Sequence, residues 1–204
     1  MKSLLRTSAI AIAAFIAVTV APARAEVKTG DAAPEFTLTD IEGKPHALSS
    51  FKGKTVVLEW VNHGCPFVKK HYESGNMQGL QKEATKAGTV WLTICSSAAG
   101  KQGHMSPEDW KKETAAKGTG ETAVLLDADG KVGKLYAAKT TPHLYIIDPA
   151  GKLVYQGAID SNSSASKDDL AGATNYVRTA LGELAAGKPV SNGTTKPYGC
   201  SVKY

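Results

Sequence analysis

The fold is decided by the stretch TVVLEWVNHGCPFVKK, residues 55–70, in which an apolar run leads into a cysteine followed by a proline. Residues 55–61 are β-branched or apolar apart from Glu59, which predicts a strand buried in the centre of a sheet. Pro66 suits the first position of a helix, because the N–H group that it lacks would have no partner there. The stretch therefore predicts a strand that leads into a helix, with Cys65 at the junction.

Cys65 is the candidate nucleophile. A sulfur at this junction would meet the first free N–H groups of the helix and the positive end of its dipole. Both lower the pKa of a thiol, and the thiolate is the reactive form. Lys69 and Lys70 lie one turn further along and could add to the effect, whereas the direction of His63 is open. The alternative interpretation is a buried, inert cysteine.

Strands and helices alternate on both sides of this junction. The pattern predicts two strands joined by a turn at Gly43, further strands at 89–95 and 122–127, and a hairpin at 144–157. It predicts one helical segment from Pro66 with an interruption near 74–76, and a second helix from Ser106 to Gly118. A closing helix has an apolar face that runs from Leu170 through Ala173 to Leu184. This order is the thioredoxin arrangement. We therefore predict an α/β protein with a thioredoxin-like fold, in which helices flank a central mixed sheet and a β-hairpin extends the N-terminal side.

Residues 1–25 predict a secretory signal peptide. Lys2 and Arg6 form a charged start, residues 9–20 are apolar apart from one threonine, and APARA supplies a cleavage signal that ends at Ala25. The segment is too short for a membrane span, and no later stretch is apolar enough to form one. We therefore expect a periplasmic or secreted protein, cleaved near Ala25, in which disulfides persist.

The remaining sequence fits one thioredoxin-like domain over residues 26–187 and a C-terminal tail over residues 188–204 that carries a cysteine. The tail has no hydrophobic periodicity, which predicts a mobile segment. The chain has 24 basic and 19 acidic residues, and 21 basic residues remain once residues 1–25 are removed. They are scattered without interleaved aromatic residues, which argues against a nucleic-acid partner.

Two further features predict the surroundings of Cys65. Thr141-Pro142 comes directly before a strand, where a proline is unexpected unless it forms a turn or a cis bond. A cis-Pro142 loop would bring the backbone of Thr141 beside the sulfur, to pair with a substrate peptide or thiol. The alternative is an ordinary proline at the start of a strand. Glu59, in an apolar strand, could relay protons to or from the sulfur or could lie on a face that reaches solvent.

The sequence resembles the redoxin branch of the thioredoxin superfamily, which includes the alkyl hydroperoxide reductase/thiol-specific antioxidant group. The resemblance lies in two runs, which begin with GDAAPEF and LLDADG and cover residues 30–67 and 125–159. It implies a thioredoxin fold, a redox-active Cys65 and a cis-Pro142 opposite that cysteine. We predict no cofactor.

The runs GCPFVKKHYESGNMQ and KPYGCSVKY resemble a peroxiredoxin-like subgroup that keeps a single cysteine at the start of the helix. True peroxiredoxins resemble P-x-x-x-T/S-x-x-C and place an arginine beside the cysteine. Here Asn62 stands at the hydroxyl position, and Arg178, the only arginine after residue 25, lies in the closing helix. The C-x-x-C pattern of thioredoxins fails as well, because Val68 stands at its second position. These departures argue against a fast, specialised peroxidase.

An oxidised Cys65 needs a second thiol to complete a catalytic cycle. Cys95 lies in a predicted interior strand and suits a buried structural thiol. Cys200 lies beyond the last helix, with Pro197 and Gly199 beside it, so we predict that it resolves Cys65, either within one chain or between two. The alternative is a permanent disulfide staple between Cys200 and one of the other cysteines.

The leading prediction is an exported thiol-disulfide oxidoreductase or peroxiredoxin-like antioxidant protein. Its substrate would be a peroxide or a protein disulfide, an external dithiol reductant such as a thioredoxin-like protein would reset it, and it would be a monomer or a dimer. One alternative is a copper-handling module in which Cys65 joins His63 or His143; copper-carrying relatives resemble C-x-x-x-C, however, and Lys69 stands at the second position. Another is a catalytically silent thioredoxin-fold binding module.

Overall fold

The computed structural model describes residues 27–204, and the predicted signal peptide over residues 1–25 lies outside the described residues. The strands are β1 Thr37–Asp40, β2 Pro45–Ala47, β3 Val56–Trp60, β4 Val90–Cys95, β5 Ala123–Leu126, β6 Thr140–Thr141, β7 His143–Ile147, β8 Leu153–Gly157 and β9 Cys200–Ser201. The α-helices are α1 Pro66–Glu73, α2 Asn76–Lys86, α3 Pro107–Lys117, α4 Lys131–Leu135 and α5 Tyr176–Ala185. Short 3₁₀ helices occupy Leu48–Phe51 and Lys167–Leu170.

A mixed sheet of seven strands forms the centre of the fold, in the order β2-β1-β5-β4-β3-β7-β8. β3 is parallel to β4 and antiparallel to β7, and all five of its residues are buried. Successive side chains of a strand point to opposite faces. Val57 accordingly packs in a cluster with Val68 of α1, and Leu58 packs in a second cluster with Val132 of α4. Helices therefore flank both faces of the sheet, and the predicted fold class is confirmed.

The helix boundaries follow the predicted punctuation on the N-terminal side of the domain. α1 and α2 are separated at Ser74 and Gly75, where the backbone of Gly75 adopts a φ of 75°. Ser106 caps α3 by accepting a hydrogen bond from the Asp109 N–H at 3.1 Å, and Gly118, with a φ of 58°, ends it. The predicted interruption near residues 74–76 is confirmed.

The closing helix is shorter than the pattern predicts. Leu170 ends a 3₁₀ helix and Ala173 lies in irregular structure, so neither belongs to α5. Gly172, with a φ of 81°, interrupts the chain between these residues. Asn175 then caps α5 by accepting a hydrogen bond from the Arg178 N–H at 2.9 Å. The helical spacing of apolar residues therefore continues in the sequence through a turn at Gly172, although the helix itself begins only after the capping residue Asn175. α4, Lys131–Leu135, is a helix that the sequence analysis does not predict.

The C-terminal tail was predicted to be a mobile segment, but in the structure it runs back across the domain and packs against it. The Thr195 N–H donates to the Gln156 carbonyl at 3.0 Å, and β9 pairs with β6 in an antiparallel ladder. A search for hydrophobic periodicity misses this segment, because it packs through backbone pairing and isolated tyrosines rather than through an apolar helix face. Within residues 27–204, no helix combines the length and apolar character that crossing a bilayer requires.

Candidate active site around Cys65

Cys65 caps the N-terminus of α1, as the sequence predicts. Its carbonyl oxygen accepts the N–H groups of Val68 and Lys69 at 3.1 and 2.9 Å, and Pro66 occupies the first helical position. The side chain is fully buried, and its thiol donates a hydrogen bond to the carbonyl oxygen of Thr141 at 3.1 Å. The sulfur therefore lies between the start of a helix and the loop that precedes β7.

The loop opposite the sulfur contains the predicted proline. The Thr141-Pro142 bond is cis, and Thr141 itself is buried. The Thr141 hydroxyl has no hydrogen-bond partner, but it lies close enough to the Cys65 sulfur to contribute to lowering its pKa. The carbonyl oxygen of Thr141 therefore contacts the sulfur directly, and the hydroxyl is a further donor near it.

The tail brings a second sulfur to the same place. In the ladder between β6 and β9, Cys200 is the register partner of Thr141. The half-buried Cys200 thiol lies beside the Cys65 sulfur and helps to lower the pKa of that sulfur. The structure therefore brings together four of the five predicted site residues, namely Cys65, Cys200, Thr141 and Pro142.

The pKa values of the two thiols are shifted in opposite directions. Burial alone would raise the pKa of Cys65, but hydrogen bonds from the Cys200 thiol and from the N–H groups of Val68 and Cys200, together with the Thr141 hydroxyl, hold that pKa below its ordinary value. Burial and the proximity of Cys65 raise the pKa of Cys200 to about 11. Cys65 is therefore the more acidic of the two thiols, and Cys200 is the one that stays protonated to a higher pH. Burial raises the pKa of Cys95 as well, and its thiol donates to the Gly103 carbonyl at 3.4 Å.

The tail reaches Cys65 because Gly199 allows a very close approach. Gly199 has a φ of 138°, and a Cβ atom there would lie 2.1 Å from the carbonyl oxygen of Thr141. Tyr198 fixes the chain just before it: the Tyr198 hydroxyl donates to Asp160 Oδ1 at 2.5 Å and lies 3.1 Å from His71 Nε2. Gly199 stands out in the sequence, whereas Tyr198 does not. The only feature that could have indicated a role for Tyr198 is its place two residues before Cys200.

Glu59 does not contact the sulfur. It is fully buried and accepts hydrogen bonds from Tyr72, Gln81 and Trp91 at 2.8, 3.0 and 2.8 Å, with the Thr93 hydroxyl at 3.4 Å. The interpretation that this face of the strand reaches solvent is wrong, because all five β3 residues are buried. A proton relay to Cys65 finds no direct hydrogen bond to support it, and Glu59 instead holds α1, α2 and β4 together.

Glu59 should make stability depend on pH. Burial raises its pKa from 4.5 to about 7, against the lowering effect of its hydrogen bonds. The native state therefore binds a proton more tightly than the unfolded state, and this stabilisation is present below pH 4.5 and lost as the pH rises through about 7. We expect the free energy of unfolding of the wild type to fall by about 3 kcal/mol relative to that of Glu59→Gln across this range.

Urea unfolding of both proteins at several pH values measures this difference. The comparison with Glu59→Gln is essential because burial lowers the pKa of His63 and His71 to about 4, which acts in the opposite direction in both proteins. A difference between the two proteins that stays constant from pH 4 to pH 8 would show that Glu59 has the same pKa in the native and the unfolded state.

The remaining candidate side chains point away from the sulfur. His63 packs against Tyr72 and Trp110, with ring centroids 4.7 and 5.1 Å apart. His143 lies 3.1 Å from the Tyr145 hydroxyl on the opposite face of the sheet from Leu144. Neither histidine joins Cys65, and residues 27–204 contain no cluster of three or more His, Cys, Asp or Glu side chains able to hold a metal.

Asn62 and Arg178, which the sequence compares with the hydroxyl and the arginine of peroxiredoxins, have their partners elsewhere than at the sulfur. Asn62 accepts a hydrogen bond from the Gly64 N–H at 2.8 Å and donates to the Gln102 carbonyl at 3.1 Å, so its side chain shapes the loop before Cys65. Arg178 pairs with Glu83 at 3.0 Å on the surface formed by α2 and α5. Lys70, which could have added charge near Cys65, is buried and donates to the Asn162 carbonyl at 2.7 Å.

Replacing Thr141 with valine tests the role of its hydroxyl. Valine keeps the shape of the side chain but removes the donor beside the sulfur, so we expect the pKa of Cys65 to rise and its alkylation at neutral pH to slow several-fold. Thr141→Ser, which keeps the hydroxyl, is the matched control. Thiolate absorbance followed through a pH titration measures the effect, and identical titration curves for the two variants would assign the hydroxyl no role.

A cysteine of lowered pKa at a helix N-terminus, a cis-proline opposite it and a mixed sheet flanked by helices together define a redox protein of the thioredoxin fold. The chain matches the model of the AhpC/TSA family over residues 29–156. It therefore belongs to that family, and the predicted redoxin membership is confirmed.

Individual relatives agree with this placement. The chain is 29% identical over 140 residues to the thiol-disulfide oxidoreductase ResA of Geobacillus thermodenitrificans, covering 60% of this chain and 80% of that one. It is also 29% identical over 140 residues to peroxiredoxin Q of Sedum lineare, covering 60% and 75%. A crystal structure of an uncharacterized conserved protein from Geobacillus kaustophilus superimposes with a TM-score of 0.73 and 30% identity, covering 87% and 92%. The prediction of a thiol-dependent oxidoreductase is confirmed, since these relatives include a thiol-disulfide oxidoreductase and a peroxiredoxin.

Proposed function

We propose that this protein is an exported thiol-disulfide oxidoreductase in which Cys65 is the nucleophile and Cys200 resolves it within the same chain. The observation that carries the proposal is the pairing of Cys200 with Thr141, which holds the second thiol against the Cys65 sulfur. The order of the two pKa values supports the assignment of roles, because the lower pKa belongs to the attacking sulfur.

The reaction begins with attack of the Cys65 thiolate on one sulfur of a substrate disulfide. A mixed disulfide forms, and the other substrate sulfur leaves as a thiolate that takes up a proton. Cys200 then loses its proton and attacks the Cys65 sulfur, which releases the second substrate thiol and leaves a Cys65–Cys200 disulfide. Two electrons have passed to the substrate, and an external dithiol protein supplies two electrons to restore both thiols.

A hydroperoxide could enter the same cycle. Cys65 would attack the terminal oxygen, the alcohol or water would leave, and Cys200 would condense with the sulfenic acid to release water and form the same disulfide. Within residues 27–204, the sulfur has neither the arginine nor the threonine of the peroxiredoxin pattern beside it, since Asn62 stands at the hydroxyl position and Arg178 pairs with Glu83. Disulfide exchange is therefore the reaction that we propose, and peroxide reduction is a slower side reaction.

Mass spectrometry of the non-reduced protein tests the proposal. We expect the reduced protein to form one intrachain Cys65–Cys200 bond on addition of one equivalent of a small disulfide, and more slowly with one equivalent of hydrogen peroxide. Cys200→Ser should instead accumulate the mixed disulfide at Cys65, and Cys95→Ser should behave as the wild type. Normal turnover of Cys200→Ser with a dithiol protein reductant would show that Cys200 is not the resolving thiol.

The same measurement separates the proposal from the structural alternatives. A permanent staple predicts a Cys65–Cys200 bond that withstands a dithiol protein reductant, and resolution between chains predicts a covalent dimer. Export is part of the proposal too: residues 1–25 would be removed to leave the redoxin domain 26–187 and the tail 188–204. N-terminal sequencing of protein recovered from the periplasm or the medium should begin at Glu26.

A further inference from the structure

The tail covers the site as well as supplying a thiol to it. β9 lies along β6, and the Val202 N–H extends this pairing by donating to the Lys139 carbonyl at 3.2 Å. Cys65 is fully buried beneath this arrangement. A protein that approached the sulfur would meet a strand edge whose hydrogen-bonding groups are already engaged by the chain itself.

The covering segment, residues 198–204, is held on both sides of Cys200. Tyr198 is bound between His71 and Asp160 on the upstream side. On the downstream side, the Tyr204 hydroxyl donates to the Ala138 carbonyl at 2.8 Å. The downstream side has further support, because the Ala98 N–H donates to the Lys203 carbonyl at 2.8 Å and Lys134 Nζ lies 5.3 Å from the centre of the Tyr204 ring.

The downstream side is the more exposed of the two. Tyr204 is 37% exposed, the largest exposure of any bulky apolar side chain in residues 27–204. Its side chain packs against the α4 region, where a Cβ atom at Gly130 or Gly133 would lie 2.5 Å from it. Beyond Cys200 the segment is held by Tyr204, by two backbone hydrogen bonds and by the packing of Val202, whereas Tyr198 binds the buried side chains of His71 and Asp160.

We infer that residues 198–204 are an intramolecular competitor of the protein partner, and that release of Tyr204 opens the site. The inference rests on the proposed function. Its partner is an extended polypeptide segment that carries a cysteine, because the backbone of such a segment can form the hydrogen bonds of the strand edge while its side chains occupy the positions of those of the covering segment. In the open state, such a segment pairs with Thr140 and Thr141 and places its own cysteine where Cys200 lies in the closed state.

The test uses the full chain with Cys200→Ser, so that only the first step of the cycle can occur. The probe is a synthetic peptide of the sequence KPYGCSVKY whose cysteine carries a 2-thiopyridyl group in disulfide linkage. The Cys65 thiolate attacks the peptide sulfur, a Cys65–peptide disulfide forms, and 2-thiopyridine leaves with the electron pair of the broken bond. Absorbance of the released 2-thiopyridone gives the rate, and mass spectrometry places the mixed disulfide at Cys65.

Adding Tyr204→Ala to this variant should accelerate the reaction about tenfold, the factor expected from the loss of one buried hydrogen bond with its ring contacts. Tyr204→Phe, which keeps the ring, should give a smaller increase, and a peptide with the other residues scrambled should react more slowly with Tyr204→Ala than KPYGCSVKY does. Hydrogen exchange at the Val202 amide should lose protection in step with the rate.

Two results would overturn the inference. Equal rates with and without Tyr204, together with lost protection at Val202, would mean that the segment does not compete with the peptide. Equal rates with unchanged protection would mean that Tyr204 does not hold the segment. Failure of the proposed function gives a different result, in which Cys65 releases no 2-thiopyridine in any variant.

Discussion

Replacing Cys65 with serine is expected to reduce the rate of disulfide reduction by at least about a thousandfold, because a neutral hydroxyl cannot replace the thiolate as nucleophile. Cys95→Ser is the matched control. Cys95 is buried, its pKa is raised, and its thiol donates to the Gly103 carbonyl. We therefore expect Cys95→Ser to keep wild-type turnover, measured as consumption of a dithiol protein reductant with a protein disulfide as acceptor.

This pair of variants decides which sulfur carries the chemistry. Loss of turnover in Cys95→Ser with retention in Cys65→Ser would transfer the nucleophile to β4 and leave the helix N-terminus without a role. Thermal unfolding of each variant should accompany the assay, since Cys65 packs in one of the two apolar clusters. A folded, inactive Cys65→Ser protein is the result that the proposed mechanism requires.

Gly199→Ala should slow formation of the Cys65–Cys200 disulfide by about a hundredfold, the cost of displacing reacting atoms by about 1 Å. The added Cβ would lie 2.1 Å from the Thr141 carbonyl oxygen, so β9 must move away from β6 and carry Cys200 with it. The first step, attack by Cys65 on the substrate, does not use this contact and should not slow. Rapid acid quenching followed by mass spectrometry resolves the two steps.

Gly187→Ala is the control for backbone strain. Gly187 also has a positive φ, of 68°, but no atom lies within 4 Å of the position that its Cβ would occupy. It should therefore lose some stability and keep the rate of disulfide formation. If Gly199→Ala forms the disulfide as fast as Gly187→Ala, the closeness of β9 to Thr141 does not govern resolution.

Local sequence patterns predicted the elements that build the site. A buried strand, a cysteine and a helix-starting proline are contiguous, so their geometry follows from short-range rules, and Thr141-Pro142 stands next to a recognisable strand. The positions of Cys65 at the start of the helix and of Pro142 before the strand could be predicted for this reason, whereas the cis form of the Thr141-Pro142 bond was implied by the family resemblance. The two chain segments then meet because β3 and β7 are neighbours in the sheet.

The features that the sequence did not reveal depend on contacts between distant segments. Glu59 has its partners on α1, α2 and β4, and no local pattern tells that a carboxylate in a strand will meet three donors. Tyr198 binds residues that lie 127 and 38 positions away. The tail as a whole has no periodic signal, because its position is set by backbone pairing and by single aromatic contacts.

The closeness of Cys200 to Cys65 links the two ends of the folded domain, with 134 residues between them. A covalent bond there would restrict the unfolded chain over most of its length, which in the chain-entropy model stabilises the native state by about 5 kcal/mol. The oxidised protein should therefore melt at a clearly higher temperature than the dithiol form. A melting curve alone would then report the ratio of the two forms in a sample, and each round of turnover would alternate between a more and a less heat-resistant molecule.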